Sequence, residues 1–152
     1  MTLTFEQIKQ RFQAEQATPV TPMTKADMPP TYESITPQWL TDVLANGVPG
    51  AKVESHVLGP HDDGTSNRRK IAVRWNEAGR QAGLPDKLFC KGTQSLESRY
   101  MLGVNEGVQA EVNFYNVLQH KIDVISPPKL FARYDPATLN SIVVLKDLSD
   151  EV

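Results

Sequence analysis

The run Arg69–Trp75 constrains the fold more than any other segment, because Ile71, Val73 and Trp75 recur at every second position. Alternate side chains of an extended chain point to one face, so this period predicts a β-strand with one buried face. The run Ala51–Leu58 before it also alternates. The polar, turn-rich segment between the two runs predicts a hairpin with a long tip.

Similar patterns predict the remaining elements. We predict three more strands, at Lys87–Gly92, Pro127–Asp135 and Ser141–Leu148, and one long helix at Val104–Ile122. The segment between the third strand and this helix is predicted to be a polar connection. A short helix carries Phe5, Ile8 and Phe12, and we expect it to dock on another part of the protein or to fray, because isolated helices of about a dozen residues are marginal. Thr36 caps a second short helix that begins at Pro37.

The order of these elements is helix, strand, strand, strand, helix, strand and strand, which predicts an α+β fold. We expect a five-stranded, mostly antiparallel sheet with one long covering helix, preceded by short amino-terminal helices. Four of the 11 prolines lie in Thr18–Pro30, which predicts an extended linker. We therefore divide the chain into an amino-terminal helix and proline-rich linker, residues 1–33, and a sheet domain, residues 34–152.

Composition limits the classes of function. With 152 residues and a formal net charge of −2, the chain has the length of one domain and lacks the positive charge typical of nucleic-acid binders. Its single cysteine, Cys90, rules out an internal disulfide, and His56, His61 and His120 lack the spacing of zinc ligands. We expect no metal ligand in this chain. We also expect a cytoplasmic protein without membrane contact, because no apolar run approaches a membrane span and the chain does not begin like a secretory signal.

Lys91 ends an apolar strand, where a charged residue is unusual, and Glu111 follows in the predicted long helix. On that helix Glu111 lies one turn from Val108 and Tyr115, and so beside the buried face. A lysine on a sheet and a glutamate on the covering helix can form a partly buried ion pair. Such a pair is costly to desolvate, and its usual chemical role is to hold an ammonium for phosphate oxygens. Each residue taken alone is more often a solvated surface charge.

The tip of the first hairpin contains Gly64, Thr65, Ser66 and Asn67. Glycine lets the backbone approach a ligand closely, and successive N–H groups with small hydroxyls form a concavity that suits phosphate. The tip matches neither the dinucleotide-binding glycine pattern nor the P-loop. A solvated hairpin tip is the alternative interpretation.

Taken in order, the segments GTSNRRKIAVRW, LPDKLFCKGT, EVNFYNVL and VVLKDL resemble the amino-terminal lobe of the aminoglycoside phosphotransferase and choline-kinase-like group. The phrases LFCKG, Ser98-Arg99, EVNFY and VVLKDL most resemble the ecdysteroid-kinase-like branch of that group. The resemblance extends roughly from Ile35 to Leu148.

The resemblance implies a protein-kinase-like lobe that forms one wall of an ATP-binding cleft. Lys91 would contact the nucleotide's phosphates, Glu111 would orient Lys91, and the tip residues Gly64, Thr65, Ser66 and Asn67 would fold over the phosphates. The hinge, whose main chain would hydrogen-bond adenine, matches Leu145, Lys146, Asp147 and Leu148. Phe89, two residues before Lys91 on the same sheet face, would line the adenine pocket. Lys146 stands where such hinges often have glutamate, but recognition through the main chain leaves the expectation unchanged.

The resemblance also implies parts that these 152 residues do not contain. The catalytic loop and the metal-binding aspartate of such kinases belong to a carboxyl-terminal lobe that follows the hinge. We therefore expect the Mg²⁺ ligands in that lobe, and no catalytic residue in this chain beyond the lysine–glutamate pair. The expected acceptor is a hydroxyl of a small organic molecule, and we expect no phosphate transfer by this chain alone.

Two other functions remain as alternatives. One is a non-catalytic module that binds a protein partner, or a second copy of itself, through the edge of the Ser141–Leu148 strand and the proline-rich arm. The other is a nucleic-acid binder that uses a basic cluster in the first hairpin: Arg68, Arg69, Lys70 and Arg74, with Trp75. Two aspartates adjoin this cluster, which favours a solvated hairpin and no nucleic-acid partner.

Overall fold

The computed structural model of the chain describes residues 3–103, 107–121 and 127–150. The helices are α1 (Phe5–Ala17), α2 (Pro37–Leu44), α3 (Glu77–Gln81), α4 (Leu96–Gly103) and α5 (Gly107–Asn113), with a 3₁₀ turn at Tyr32–Ser34 and a π-helical turn at Phe114–Leu118. The strands are β1 (Val53–Leu58), β2 (Asp62–Asp63), β3 (Asn67–Trp75), β4 (Lys87–Gly92), β5 (Lys129–Tyr134) and β6 (Ser141–Lys146). Among these residues, no helix combines the length and the apolar character that crossing a bilayer requires.

The strands form one antiparallel sheet in the order β1-β3-β4-β6-β5, so the α+β prediction is confirmed. The sheet has six strands rather than five, because β2 forms inside the predicted hairpin tip and pairs with the start of β3. The strand Ser141–Leu148 was expected to offer a free edge, and this expectation is wrong. The strand that forms within this segment, β6, lies between β4 and β5. The near-continuous apolar sequence of β6 suits that central position.

The helical prediction needs two corrections. The described part of Val104–Ile122 is not one regular helix, because α5 passes into the π-helical turn after Asn113, while residues 104–106 and 122 lie outside the described residues. The segment predicted to be a polar connection forms α4. Its first turn is capped by Ser95, whose hydroxyl accepts the backbone N–H of Ser98 at 3.2 Å. Ser95 is a capping signal that the sequence analysis missed.

The two faces of the sheet have different environments. The core face packs against α2 and buries these residues: Trp39, Leu40, Leu44, Ile71, Val73, Trp75, Leu88, Cys90, Ile142 and Val144. On the opposite face, α5 packs on β5 and β6, through Val108 and Val112 against Val143 and Leu145, and Glu111 of α5 reaches Lys91 of β4. The rest of that face, on β1, β3 and β4, is the open face; Val57 and Ala72 on it are exposed.

A β-bulge in β1 decides which valine reaches the open face. The alternation of β1 predicted Val53 and Val57 on one side, but the register shifts between Val53 and Ser55. Val53 pairs with Trp75 on the core face, whereas Val57 pairs with Ala72 and is 68% exposed. A bulge inserts one unpaired residue and thereby reverses the faces of all residues beyond it.

The amino-terminal helix docks on the sheet domain, which is one of the two outcomes expected for its marginal length. Ile8 is fully buried, and the Phe5 ring packs edge-on against Tyr100 of α4 with centroids 5.1 Å apart. The proline-rich segment that follows is also held by the domain. Trp39 donates from Nε1 to the carbonyl of Asp27 at 3.0 Å, and Asn140 donates from Nδ2 to the carbonyl of Pro29 at 3.0 Å.

Cys90 lies fully buried in the middle of β4, and burial raises the pKa of its thiol to about 12. Because the thiolate is the reactive form, we expect Cys90 in the native protein to be inert toward Ellman's reagent at pH 8. Unfolding in urea should release one equivalent of fast-reacting thiol. A rapid stoichiometric reaction of the native protein, followed at 412 nm, would contradict this burial.

Candidate functional site

Lys91 and Glu111 form the predicted ion pair. The Lys91 Nζ donates to the Glu111 Oε1 at 2.7 Å, and the two side chains are 31% and 34% exposed. Lys91 extends from β4 onto the face that α5 covers in part. Val108 and Val112 anchor α5 against β6, and their spacing places Glu111 at the margin of the buried stripe.

Tyr115 lies one helical turn after Glu111 and is partly buried. Burial, and then the negative charge of Glu111, raise the pKa of the Tyr115 hydroxyl above its usual value. Tyr115 packs against the cluster beneath α5, as Phe89 and Leu102 also do. The charge of Glu111 therefore acts on the Tyr115 hydroxyl, and its carboxylate binds the ammonium of Lys91.

The hairpin tip is held to the start of α4. Gly64 donates its backbone N–H to the carbonyl of Ser66 at 3.0 Å, and the Ser98 hydroxyl donates to the carbonyl of Thr65 at 2.7 Å. Asn67 is 8% exposed, and its Oδ1 accepts the backbone N–H groups of the two residues before α4, both at 2.8 Å. Its amide nitrogen donates to the Asp63 carboxylate at 3.0 Å. Asn67 thus holds the tip in place with its polar atoms already bonded.

The four predicted tip residues do not face a common space. Ser66 lines the small cavity that also contains Lys91 and Glu111. Gly64, Thr65 and Asn67 instead line a groove against α4, together with Asp63, Ser95, Glu97, Ser98 and Met101. Of the tip, Ser66 is the residue that shares a cavity with the ion pair.

The predicted hinge begins within β6, whose last two residues are Leu145 and Lys146. Leu145 is buried beneath α5, and Lys146 is exposed. The backbone N–H of Lys146 donates to Pro128 at 3.3 Å, and that of Asp147 donates to Lys87 at 3.0 Å. These two N–H groups are therefore engaged within the fold. Leu148, which is half-buried, is the next residue along the main chain.

Asp147 faces Lys70 of β3 across the sheet. Its carboxylate is 3.4 Å from the Lys70 Nζ and accepts the backbone N–H of Ser149 at 3.0 Å. The hydrogen bond from Ser149, together with the charge of Lys70, lowers the pKa of the Asp147 carboxyl below its usual value. The Asp147 side chain thus serves the local structure of the hinge.

Three apolar side chains of the open face, Val57, Ala72 and Phe89, form what we call the apolar strip. Two lysines flank it, because Ala72 pairs with Lys87 and Phe89 pairs with Lys70. Val57 and Ala72 are cross-strand neighbours, and the half-buried Phe89 is aligned with Leu145 on β6. Phe89 and Lys91 lie on one face, as their spacing in β4 predicted. The sequence analysis did not identify Val57 and Ala72 as residues of the open face. The bulge in β1 places Val57 on this face. Ala72 could have been assigned to it, because it alternates along β3 with the buried Ile71 and Val73.

The basic cluster of the first hairpin is divided between the two faces. The Arg69 side chain is 6% exposed and donates to the carbonyl of Gly59 at 2.9 Å on the core side. Arg68, Lys70 and Arg74 lie on the other side of β3, and Trp75 is buried. These residues therefore do not form one basic surface with an exposed aromatic ring.

Comparison with family models, with curated proteins and with solved structures found no match to this chain. Within residues 3–103, 107–121 and 127–150, no three His, Cys, Asp or Glu side chains converge as a set that could hold a metal ion.

Proposed function

We propose that this chain is the ATP-binding, protein-kinase-like lobe of a cytoplasmic phosphotransferase that acts on a hydroxyl of a small organic molecule. The observation that carries the proposal is the Lys91–Glu111 ion pair, located at one end of the exposed apolar strip. An ion pair that remains one-third exposed contributes little to stability. A lysine held at a defined position beside an open surface instead suits the binding of phosphate oxygens.

The residues of the open face have the chemistry that ATP requires. Val57, Ala72 and Phe89 offer an apolar surface for a purine ring, and Lys91 and Ser66 offer donors for phosphate oxygens. The backbone N–H groups of Lys146 and Asp147 already donate hydrogen bonds within the fold. We therefore assign the main-chain contact with adenine to Leu148. ATP would supply the phosphoryl group, and the chain's own residues would bind and orient the nucleotide.

The remaining requirements of phosphoryl transfer are magnesium ligands and a group that accepts the proton of the acceptor hydroxyl. We assign both to a second, carboxyl-terminal lobe that would close over the open face. The acceptor itself would bind mainly to that lobe. We accordingly propose that the present chain binds ATP but transfers no phosphate by itself.

The test is the thermal stability of the purified chain with and without ATP and Mg²⁺. A ligand at 100 times its Kd stabilises the folded state by about 2.7 kcal/mol, which for a chain of this size raises Tm by roughly 5–10 °C. We expect this increase for the wild type and not for Lys91→Met. The control is Lys52→Met, an exposed lysine just before β1. An unchanged wild-type Tm, or equal increases in wild type and Lys91→Met, would overturn the proposal.

A protein-interaction module remains the second candidate, because the exposed strip also suits a protein surface. Val57 is 68% exposed on a sheet face that the described residues leave uncovered. Under this function ATP leaves Tm unchanged, and sedimentation velocity shows association that grows with concentration. Val57→Thr, which retains β-branching, should then reduce that association.

A further inference from the structure

Arg68 and Lys91 are cross-strand neighbours on the same face of the sheet. The register of β3 and β4 pairs Arg68 with Lys91, and the register of β2 and β3 pairs Arg68 with Asp62. One row across the sheet therefore carries a carboxylate, a guanidinium and an ammonium. Glu111 of α5 contacts the ammonium from outside the sheet.

Two like charges directly opposite each other destabilise a pair of strands. Among the described residues, the carboxylates paired with these cations lie on their outer sides: the Arg68 Nη2 lies 3.0 Å from the Asp62 Oδ1, and the Lys91 Nζ lies 2.7 Å from the Glu111 Oε1. Arg68 remains 39% exposed and Lys91 31% exposed, so both stay accessible from solvent. An anion that bridges the two cations would offset their repulsion.

The guanidinium of Arg68 also lies directly against the hairpin tip. A Cβ atom added at Gly64 would lie 3.3 Å from the Arg68 Nη2. That distance is tight, so the absence of a side chain at Gly64 leaves room for the guanidinium beside the tip backbone. The same tip provides Ser66 to the cavity of Lys91. Arg68 therefore lies between the tip and Lys91.

We propose that Arg68 is a second anion-binding residue of the nucleotide site and that it binds the terminal phosphates of a nucleoside triphosphate together with Lys91. This inference rests on the proposed function. The planar guanidinium forms paired hydrogen bonds with phosphate oxygens, which a lysine ammonium cannot do. Asp62 holds the guanidinium in place when no phosphate is bound, and it competes with phosphate for the same donors.

Arg74 on the same strand provides a matched control. It lies on the same face as Arg68 and is 75% exposed, with its Nε 3.8 Å from Glu54. Its cross-strand neighbour in β1 is Ser55, so it does not oppose another cation. A general effect of positive charge on this face would involve Arg74 as much as Arg68.

The experiment is a calorimetric titration of the chain with ATP, ADP and AMP in the presence of Mg²⁺. Removing hydrogen bonds to a charged group should weaken binding, so we expect Arg68→Gln to lose about 10- to 100-fold in ATP affinity. AMP affinity should be unchanged, and Arg74→Gln should bind all three nucleotides like the wild type. Asp62→Asn should bind ATP about two- to fivefold more tightly, because a competing carboxylate is removed.

The possible results separate the proposed role of Arg68 from the proposed ATP-binding function. If the wild type binds ATP and Lys91→Met does not, while Arg68→Gln binds like the wild type, the role of Arg68 is refuted and the ATP-binding function stands. Equal losses of ATP and AMP affinity in Arg68→Gln would also refute it, because they indicate a structural role. If the wild type binds none of the nucleotides, both proposals fail. Tm values measured without nucleotide establish that each variant is folded.

Discussion

Replacing Glu15 with alanine is expected to lower the free energy of unfolding by about 3–5 kcal/mol, the usual cost of removing one partner of a buried ion pair. Arg99 has a fully buried side chain, and Glu15, which is 11% exposed, is its carboxylate partner. Both Arg99 Nη atoms donate to the two carboxylate oxygens at 2.8 Å. Without Glu15, the guanidinium keeps its charge in a site that water does not reach.

The other contacts of Arg99 explain why the loss extends beyond one helix. Its Nε donates to the carbonyl of Thr93 at 2.9 Å, and its guanidinium stacks on the Phe12 ring at 4.8 Å. A weaker bond, at 3.4 Å, reaches the carbonyl of Thr138 in the β5–β6 turn. Arg99 therefore connects α1, the end of β4 and the β5–β6 turn, and its displacement weakens all three.

Urea denaturation followed by circular dichroism measures the change, with Glu6→Ala as the control. Glu6 is exposed in the first turn of the same helix, so its replacement should cost less than about 1 kcal/mol. A Glu15→Ala variant as stable as Glu6→Ala would show that the pair is not buried in solution.

Replacing Gly92 with alanine is the second change for which we expect a large effect. A Cβ at this position would lie 2.6 Å from the backbone carbonyl oxygen of Ser141, and a strand backbone cannot move aside as a flexible side chain can. The substitution should separate β4 from β6 immediately after Lys91. We expect a loss of about 1–3 kcal/mol in the free energy of unfolding, and with it the ATP-dependent increase in Tm.

Gly107→Ala is the matched control, because a Cβ at that position would lie at an ordinary 3.9 Å from the carbonyl of Leu102, its nearest neighbour among the residues that the structure describes. In α5 the same substitution should be neutral or stabilising by up to about 1 kcal/mol, since alanine favours helix more than glycine does. Thermal and urea denaturation of both variants provide the comparison. If Gly92→Ala is as stable as Gly107→Ala, the close approach of β4 and β6 is wrong.

Local patterns predicted the elements that depend on neighbouring residues in the sequence. The alternation of Ile71, Val73 and Trp75 predicted β3, and Thr36 with Pro37 predicted the start of α2. Features that depend on distant residues were not predicted. The pairing of β2 with β3 and the π-helical turn were missed, because they depend on how the tip and the covering helices pack. The helix α4 was missed although Ser95 offered a local capping signal.

The candidate site divides in the same way. The Lys91–Glu111 pair could be predicted, since strand alternation and helical spacing place each side chain toward the space between sheet and helix. The arrangement of the tip could not. The Asn67 side-chain oxygen already accepts backbone hydrogen bonds from the residues just before α4. Of the four tip residues, Ser66 lines the cavity of Lys91. Hydrogen bonds between segments far apart in the chain decide that arrangement.

By itself the sequence determined the strand and helix periods and the apolar core, because each of these follows from side-chain spacing within a segment. It also placed Lys91 at the end of a strand and Glu111 beside the buried face of a helix. Only the tertiary structure decided that the β1 bulge turns Val57 outward, that Arg68 lies beside Lys91, and that Arg99 is buried against Glu15. Register and burial are set by long-range pairing, in which a shift of one residue exchanges the two faces of a strand.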